Sequence, residues 1–209
     1  MTTANPVRGR LNAAILRTLD GYSHHLLGAR KRHLLAGLPR TVVEIGPGTG
    51  ANLRHYRAGT RLVAIEPNPY MRGPLLAEAR RRGIEVDLRA ASAERTGLPD
   101  AGADAVVSTL VLCTVPDPAA AIREIGRILR PGGRLIFVEH VRASPHSGYG
   151  VIQRALARPW RWLFEGCEVG RDIEALLRAG DFAELTVDRY RMPSVFLPIN
   201  PQIAGVARR

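Results

Sequence analysis

Two acidic residues and three glycines at fixed spacing carry the clearest chemistry in this sequence. Glu44 sits two positions before the first glycine of the run Val42-Val-Glu-Ile-Gly-Pro-Gly-Thr-Gly50, and Glu66 ends the next apolar run, Arg61-Leu-Val-Ala-Ile-Glu66. Glycines at 46, 48 and 50 let the backbone turn sharply and approach a bound small molecule where any Cβ would obstruct it. A carboxylate about 20 positions further on can accept hydrogen bonds from both hydroxyls of a ribose. The dinucleotide fingerprint G-x-G-x-x-G needs glycine at position 51, where this chain has Ala51, so a dehydrogenase is a distant reading.

Other reactive side chains lie further along. His140 falls just beyond an apolar run, and a histidine there can titrate near neutral pH, which makes it the first candidate for a general base. Tyr22, His24 and His25 form a second catalytic group on an N-terminal helix able to close over a ligand, with a plain surface helix as the alternative. Cys113 and Cys167 are too few for a disulfide framework and lack C-x-x-C spacing, so both read as reduced thiols, with no metal site expected. Tyr149, Trp160, Trp162 and Phe164 cluster in one segment, and two tryptophans two positions apart cannot share a helix face. Packing within a lid is the favoured reading, with at least one of them facing a cavity or a partner as the alternative. There is no P-loop, no G-x-S-x-G elbow and no histidine metal spacing.

The elements that must hold these residues alternate. Strands are expected near 41–46, 61–66, 84–89, 104–109 and 133–140, with helices between them. Asp117 is placed to cap a helix running to Leu129, Pro131 stops it, and Gly132-Gly133 turn the chain into the next strand. After a helix over 172–179, the segments 183–192 and 201–207 read as a closing antiparallel pair. The N-terminal stretch 11–37 reads as two helices broken around Gly21. This is an α/β chain with a mostly parallel, doubly wound sheet.

The expected organisation is one domain over 1–209, with a helical cap at 1–38 and an inserted cover at 144–170. Of the residues, 45% are hydrophobic and 23% charged, ordinary for a soluble globular protein. The formal net charge is +11, almost all arginine, with Lys31 the only lysine. The arginines are scattered and no aromatic-interleaved basic segment accompanies them, so no nucleic-acid partner is expected. No apolar run reaches 18 residues and no signal-peptide layout opens the chain, so the expectation is a cytoplasmic protein without a transmembrane segment.

The G-x-G-x-G form with an upstream acid resembles motif I of the class I S-adenosylmethionine (SAM) dependent methyltransferases, and Leu129-Arg-Pro-Gly-Gly133 resembles their approach to a fifth strand. Gly48-Thr-Gly-Ala-Asn-Leu53, Glu66-Pro-Asn-Pro-Tyr70, Ser108-Thr-Leu-Val-Leu-Cys-Thr-Val115 and Glu139-His-Val141 together look like the methyltransferase-like 7 group of thiol S-methyltransferases. The likeness continues to Leu197-Pro-Ile-Asn-Pro-Gln-Ile-Ala-Gly205. Two departures stand out: animal members carry a hydrophobic N-terminal anchor of a kind not seen here, and they have Asp where this chain has Glu66. The resemblance implies a Rossmann-like, seven-stranded, mostly parallel sheet with helices on both faces. It implies SAM as cofactor, S-adenosylhomocysteine as product and a small-molecule thiol as acceptor, with natural-product tailoring as one setting. Glu44, Gly46, Gly48 and Gly50 would surround the methionine part and Glu66 the ribose. Asn68 and Met71 would lie near the adenine, Ala93 and Glu94 would close that side, and Thr109 would present backbone. Methylation of an amine or hydroxyl, and SAM binding without catalysis, are the alternatives.

Overall fold

The computed structural model describes residues 6–209, so the first five residues of the expected cap lie outside the described residues. Seven strands form one sheet: β1 (Thr41–Ile45), β2 (Arg61–Ile65), β3 (Glu85–Arg89), β4 (Ala103–Thr109), β5 (Leu129–His140), β6 (Glu184–Arg191) and β7 (Pro201–Arg208). Their order is β3-β2-β1-β4-β5-β7-β6. The first five pair in parallel, while β7 runs antiparallel to both β5 and β6, as the closing pair required. Strand order reverses between β1 and β4, and in open sheets that reversal leaves a crevice at the carboxyl ends of the strands.

Alternate residues along the strands bury opposite faces. Val43, Ile45, Val106, Leu135 and Phe137 pack with Ile122 and Ile125 of α3 (Pro118–Ile128) and Ile173 of α5 (Ile173–Arg178). Val42, Ala105, Val107 and Ile136 point the other way, against Leu35 of α1 (Pro6–Leu35). Leu62 and Ala64 meet Leu75 and Ala79 of α2 (Pro69–Arg82). Helices therefore cover both faces. Near-continuous apolar strands are what a parallel sheet covered on both sides demands.

Local signals set the boundaries. The Asp117 carboxylate accepts from the Ala120 N–H at 2.9 Å and caps α3. Gly83, at φ +65°, ends α2 in the left-handed conformation that glycine adopts without a Cβ penalty. Two boundaries differ from expectation. α1 is one continuous helix of 30 residues, unbroken at Gly21. An interior glycine costs only about 1 kcal/mol against alanine, too little to break a helix whose far end is buried. β5 begins at Leu129, directly after α3, and the register jumps from Ala103 opposite Leu129 to Ala105 opposite Arg134, so the Pro-Gly-Gly segment bulges out of the strand instead of preceding it. Between β5 and α5 lies α4 (Gly148–Leu163), capped by Ser147. No described helix is long and apolar enough to cross a membrane.

Candidate active site

The glycine turn leaves β1 at the sheet reversal. Gly46, Gly48 and Gly50 have φ of +59°, +58° and +93°, so all three need the left-handed region. A Cβ on Gly46 would lie 2.7 Å from the Val111 side chain, whereas one on Gly48 would meet only Leu16, at 4.0 Å. The turn is thus packed on one side and open on the other. Glu66, at the end of β2, reaches back to it: its carboxylate accepts from the Gly48 N–H at 3.0 Å and the Asn68 N–H at 2.8 Å. Burial pushes Glu66 up to about 7, with the Glu165 charge adding to the rise, because the two N–H groups compensate only in part.

Glu44 is buried beneath the turn. Its oxygens accept from Asn52 Nδ2 at 2.7 Å and from the Tyr56 hydroxyl at 2.7 Å. Burial raises its carboxyl above the usual range; those two hydrogen bonds and the nearby Lys31 ammonium pull the other way. Lys31 itself is buried and brought down to about 8, chiefly by desolvation. Asn52 also donates to Thr109 Oγ1 at 3.0 Å, which ties the turn to the end of β4, yet its Oδ1 is buried with no partner among the described residues. An orphaned acceptor costs roughly 1–3 kcal/mol unless a donor arrives. An open glycine cradle, a buried carboxylate at the end of the next strand and a buried amide oxygen without a donor fit SAM.

Beside this turn opens a cavity of about 180 Å³. Leu16, Tyr22 and Leu26 of α1, Leu110 after β4, Trp160 and Phe164 from the inserted segment, and Phe196 make its walls mostly apolar. The aromatic rings pack on one another: Trp160 and Phe164 lie 4.4 Å apart, and Tyr22 meets Phe196 edge-on at 6.2 Å. Trp162 is 62% exposed, so of the two tryptophans Trp160 faces the cavity. Leu16 and Asn12 line the cavity while also approaching the cofactor turn, Asn12 through Glu165, which Asn68 Nδ2 contacts at 3.1 Å. A larger cleft of about 510 Å³ lies between α1 and α2 and takes in Thr49, Gly50 and Ala51 of the glycine turn; its acids Asp20 and Glu78 are already paired with arginines.

Three reactive groups from distant segments meet at the cavity. His140 Nε2 lies 3.0 Å from Cys167 Sγ, which lies 3.6 Å from Cys113 Sγ and accepts from Trp160 Nε1–H at 3.3 Å. All three residues are buried and line the cavity. The contact with Cys113 and the Trp160 N–H, working against burial, lower the Cys167 thiol, while its contact with Cys167 and burial leave Cys113 well above its ordinary value. Desolvation pulls His140 down, but Cys113 and Glu139 outweigh it and the imidazole is raised. Glu139 organises this corner by accepting from the Ser108 hydroxyl at 2.8 Å and the Val111 and Leu112 N–H groups at 3.1 and 3.3 Å. Arg171 donates to the Leu112 carbonyl at 2.9 Å and the Glu168 N–H to the Cys113 carbonyl at 2.8 Å, which docks the Cys167 segment on the Cys113 loop.

The expected site residues fall into two sets. Glu44, Gly46, Gly48, Gly50, Glu66 and Thr109 converge at the turn. Tyr22 and His140 line the cavity; Tyr22 Oη accepts from the Val195 N–H at 3.0 Å. His24 and His25 are not in its lining, and His24 lies instead against His55, 5.6 Å between centroids. Asn68 caps α2 through Oδ1, and Met71 is buried in that helix's first turn. Ala93 belongs to the core, and the Glu94 carboxylate accepts from the Asp117 N–H at 3.2 Å. Sequence reasoning passed over Asn52, Lys31, Glu165 and the joining of Cys113, His140 and Cys167. Asn52 alone had a local signal, its place inside the glycine turn.

A family model described as "Methyltransferase domain" matches residues 43–137. Thiol S-methyltransferase TMT1B of Rattus norvegicus is 32% identical over 204 residues, spanning 92% of this chain and 84% of that protein. Thiol S-methyltransferase TMT1A of Homo sapiens is 33% identical over 192 residues, spanning 87% and 79%. A SAM-dependent methyltransferase from Thermotoga maritima superposes with a TM-score of 0.67 at 21% identity, covering 95% of this chain and 98% of its own, a likeness of fold. The cofactor is SAM, and the chain belongs to the class I SAM-dependent methyltransferases, within the group that includes the thiol S-methyltransferases TMT1A and TMT1B.

Proposed function

We propose that this enzyme methylates the sulfur of a small, largely apolar thiol. The observation that carries the reading is similarity to thiol S-methyltransferases along nearly the whole chain. The cavity supports it: its walls are mostly aliphatic and aromatic, no carboxylate stands among its described lining residues to hold an ammonium acceptor, and its reactive groups are two thiols and an imidazole.

When bound, SAM supplies an electrophilic methyl on a sulfonium, so the protein's task is positional. Glu66 would take the ribose hydroxyls, Asn52 Oδ1 would take the ammonium, and Glu44 would act through Asn52 by fixing that amide's orientation. Gly48 and Gly50 let the methionine part lie against the backbone, and the end of β4 at Thr109 and Leu110 forms the boundary between cofactor and acceptor. Leu110 stands at φ +57°, a left-handed conformation costing about 1–2 kcal/mol for a residue with a Cβ; it turns the chain between the two sites. The 144–170 segment covers the acceptor through Trp160 and Phe164. Holding the reactants in line and dry is worth several kcal/mol of barrier.

The test is S-adenosylhomocysteine release from SAM across matched apolar thiols, amines and phenols, with Glu66→Ala as control. Turnover confined to thiols and lost in the variant supports the proposal. Turnover on amines or phenols instead removes the thiol assignment and keeps the methyltransferase.

A further inference from the structure

We propose that Cys113, His140 and Cys167 bind a zinc ion whose open coordination position faces the apolar cavity and receives the acceptor's sulfur. Binding of the ion stands on geometry alone; the acceptor's place on it rests on the thiol reading above.

The three donor atoms lie within 4.8 Å of one another, with contacts of 3.0 and 3.6 Å already made. Zinc–sulfur and zinc–nitrogen bonds of about 2.3 and 2.0 Å set tetrahedral ligand edges of roughly 3.5–3.8 Å. Cys167 and Cys113 already stand at that separation, His140 must withdraw from Cys167 by about half an ångström, and the third edge, His140 to Cys113, lies within 4.8 Å. Two thiolates and an imidazole suit zinc, and three protein ligands with a fourth position free is the pattern of catalytic zinc sites. Here the free side has a destination, since all three residues line the cavity.

The supporting groups point the same way. Trp160 Nε1–H donates to Cys167 Sγ, the kind of outer hydrogen bond that orients a thiolate ligand. Glu139, fully buried next to His140, fixes the loop that carries Cys113. With Nε2 on the metal, His140 carries its proton on Nδ1, which is buried and has no hydrogen-bond partner among the described residues. The sequence hides the site because the ligands are spaced 27 and 27 residues apart and come from the β4 end, the β5 end and the inserted segment.

The step balances without a further reactant. Zinc displaces one proton from each cysteine; the acceptor thiol loses its proton to solvent on binding the ion as a thiolate. Its sulfur lone pair then forms the new S–C bond as the cofactor's sulfonium S–CH3 bond breaks. A neutral thioether and neutral S-adenosylhomocysteine result, and the thioether, a poorer ligand than a thiolate, leaves the ion.

The experiment titrates the full-length protein, reduced and stripped with a chelator, with Co2+ as a spectroscopic stand-in for zinc. The expected result is uptake of about one ion per chain with a thiolate-to-cobalt charge-transfer band. Cys113→Ser and Cys167→Ser, each checked for folding by circular dichroism, should each lose roughly half of that band, and an added apolar thiol should raise it by about half in the wild type as a third sulfur joins two. No saturable uptake by the wild type, a band unchanged in both variants, or conversion of the two thiols to a disulfide without metal uptake would overturn the site. Thiol methylation at full rate in the stripped enzyme would sink the metal's role while sparing the thiol reaction. The two-thiolate band without turnover on any thiol would do the reverse.

Discussion

Glu66 should make cofactor binding depend on pH near neutrality. Its carboxyl is buried and stands at about 7 against an ordinary 4.5. The sign follows from the two states: below about pH 4.5 the group is protonated folded and unfolded alike. As pH rises toward 7 the unfolded chain ionises first, so the ligand-free protein loses up to about 3 kcal/mol of stability across that window. Ribose hydroxyls reverse the balance, because they donate to a carboxylate and find a better acceptor in its charged form. Binding at pH 6.5 should therefore expel most of a proton. With about a tenth of Glu66 ionised at pH 6 and nine-tenths at pH 8, affinity for S-adenosylhomocysteine should rise roughly tenfold between them, or about 1.4 kcal/mol. Isothermal titration in buffers of different ionisation enthalpy measures both affinity and proton release. Glu66→Gln keeps the side chain's shape and subtracts any titration belonging to the ligand's own amine. Equal pH slopes in wild type and variant, with equal proton release, would refute the assignment of Glu66 to the ribose.

Four further outcomes test other parts of the site. Gly46→Ala adds a Cβ at φ +59° and 2.7 Å from Val111; it should cost about 2 kcal/mol and roughly 4–8 °C in Tm, read by thermal melting, and should weaken cofactor binding. Asn52→Ala strips Glu44 of one hydrogen bond in a buried setting; urea unfolding should show a loss of about 1–3 kcal/mol, and S-adenosylhomocysteine binding should fall as well. Phe196→Ala removes one wall of the acceptor cavity and should raise KM for apolar acceptors about tenfold with kcat little changed, as steady-state kinetics would show. Glu124, held at about 2 mainly by Arg127 with Thr96 adding hydrogen bonds, stabilises the fold above pH 4.5 and loses that effect as pH falls toward 2. Glu124→Gln should accordingly be less stable at pH 7, with the gap closing on acidification in denaturant titrations.

What the sequence made legible was whatever a short window encodes. The strand into Gly46, the acid at Glu66, the Asp117 cap and the closing antiparallel pair each rest on residues within about ten positions of one another, where periodicity and capping act. The reading of Gly21 as a break erred for a related reason: a local propensity cost was weighed without the packing of Leu27 and Leu35 that holds α1 straight through it. Glu44's place before the glycine turn was legible, but its partners were not, since Tyr56 and Lys31 reach it from a short turn and from another helix.

The corner formed by Cys113, His140 and Cys167 shows most clearly what a window cannot hold. Each residue taken alone reads blandly: a buried thiol, a strand-end histidine, a cysteine in an insertion. Their meeting depends on Glu139 pulling the Val111–Leu112 backbone into place and on Arg171 and Glu168 laying the insertion against that loop. The same contacts close the cavity, because Trp160 and Phe164 ride on the segment that delivers Cys167. The aromatic wall of the cavity and the Cys–His–Cys corner are thus one mechanical unit. A change that loosens the insertion, such as Arg171→Ala, should therefore impair acceptor binding and the Cys–His–Cys geometry together while leaving the Glu66 end of the cofactor site intact.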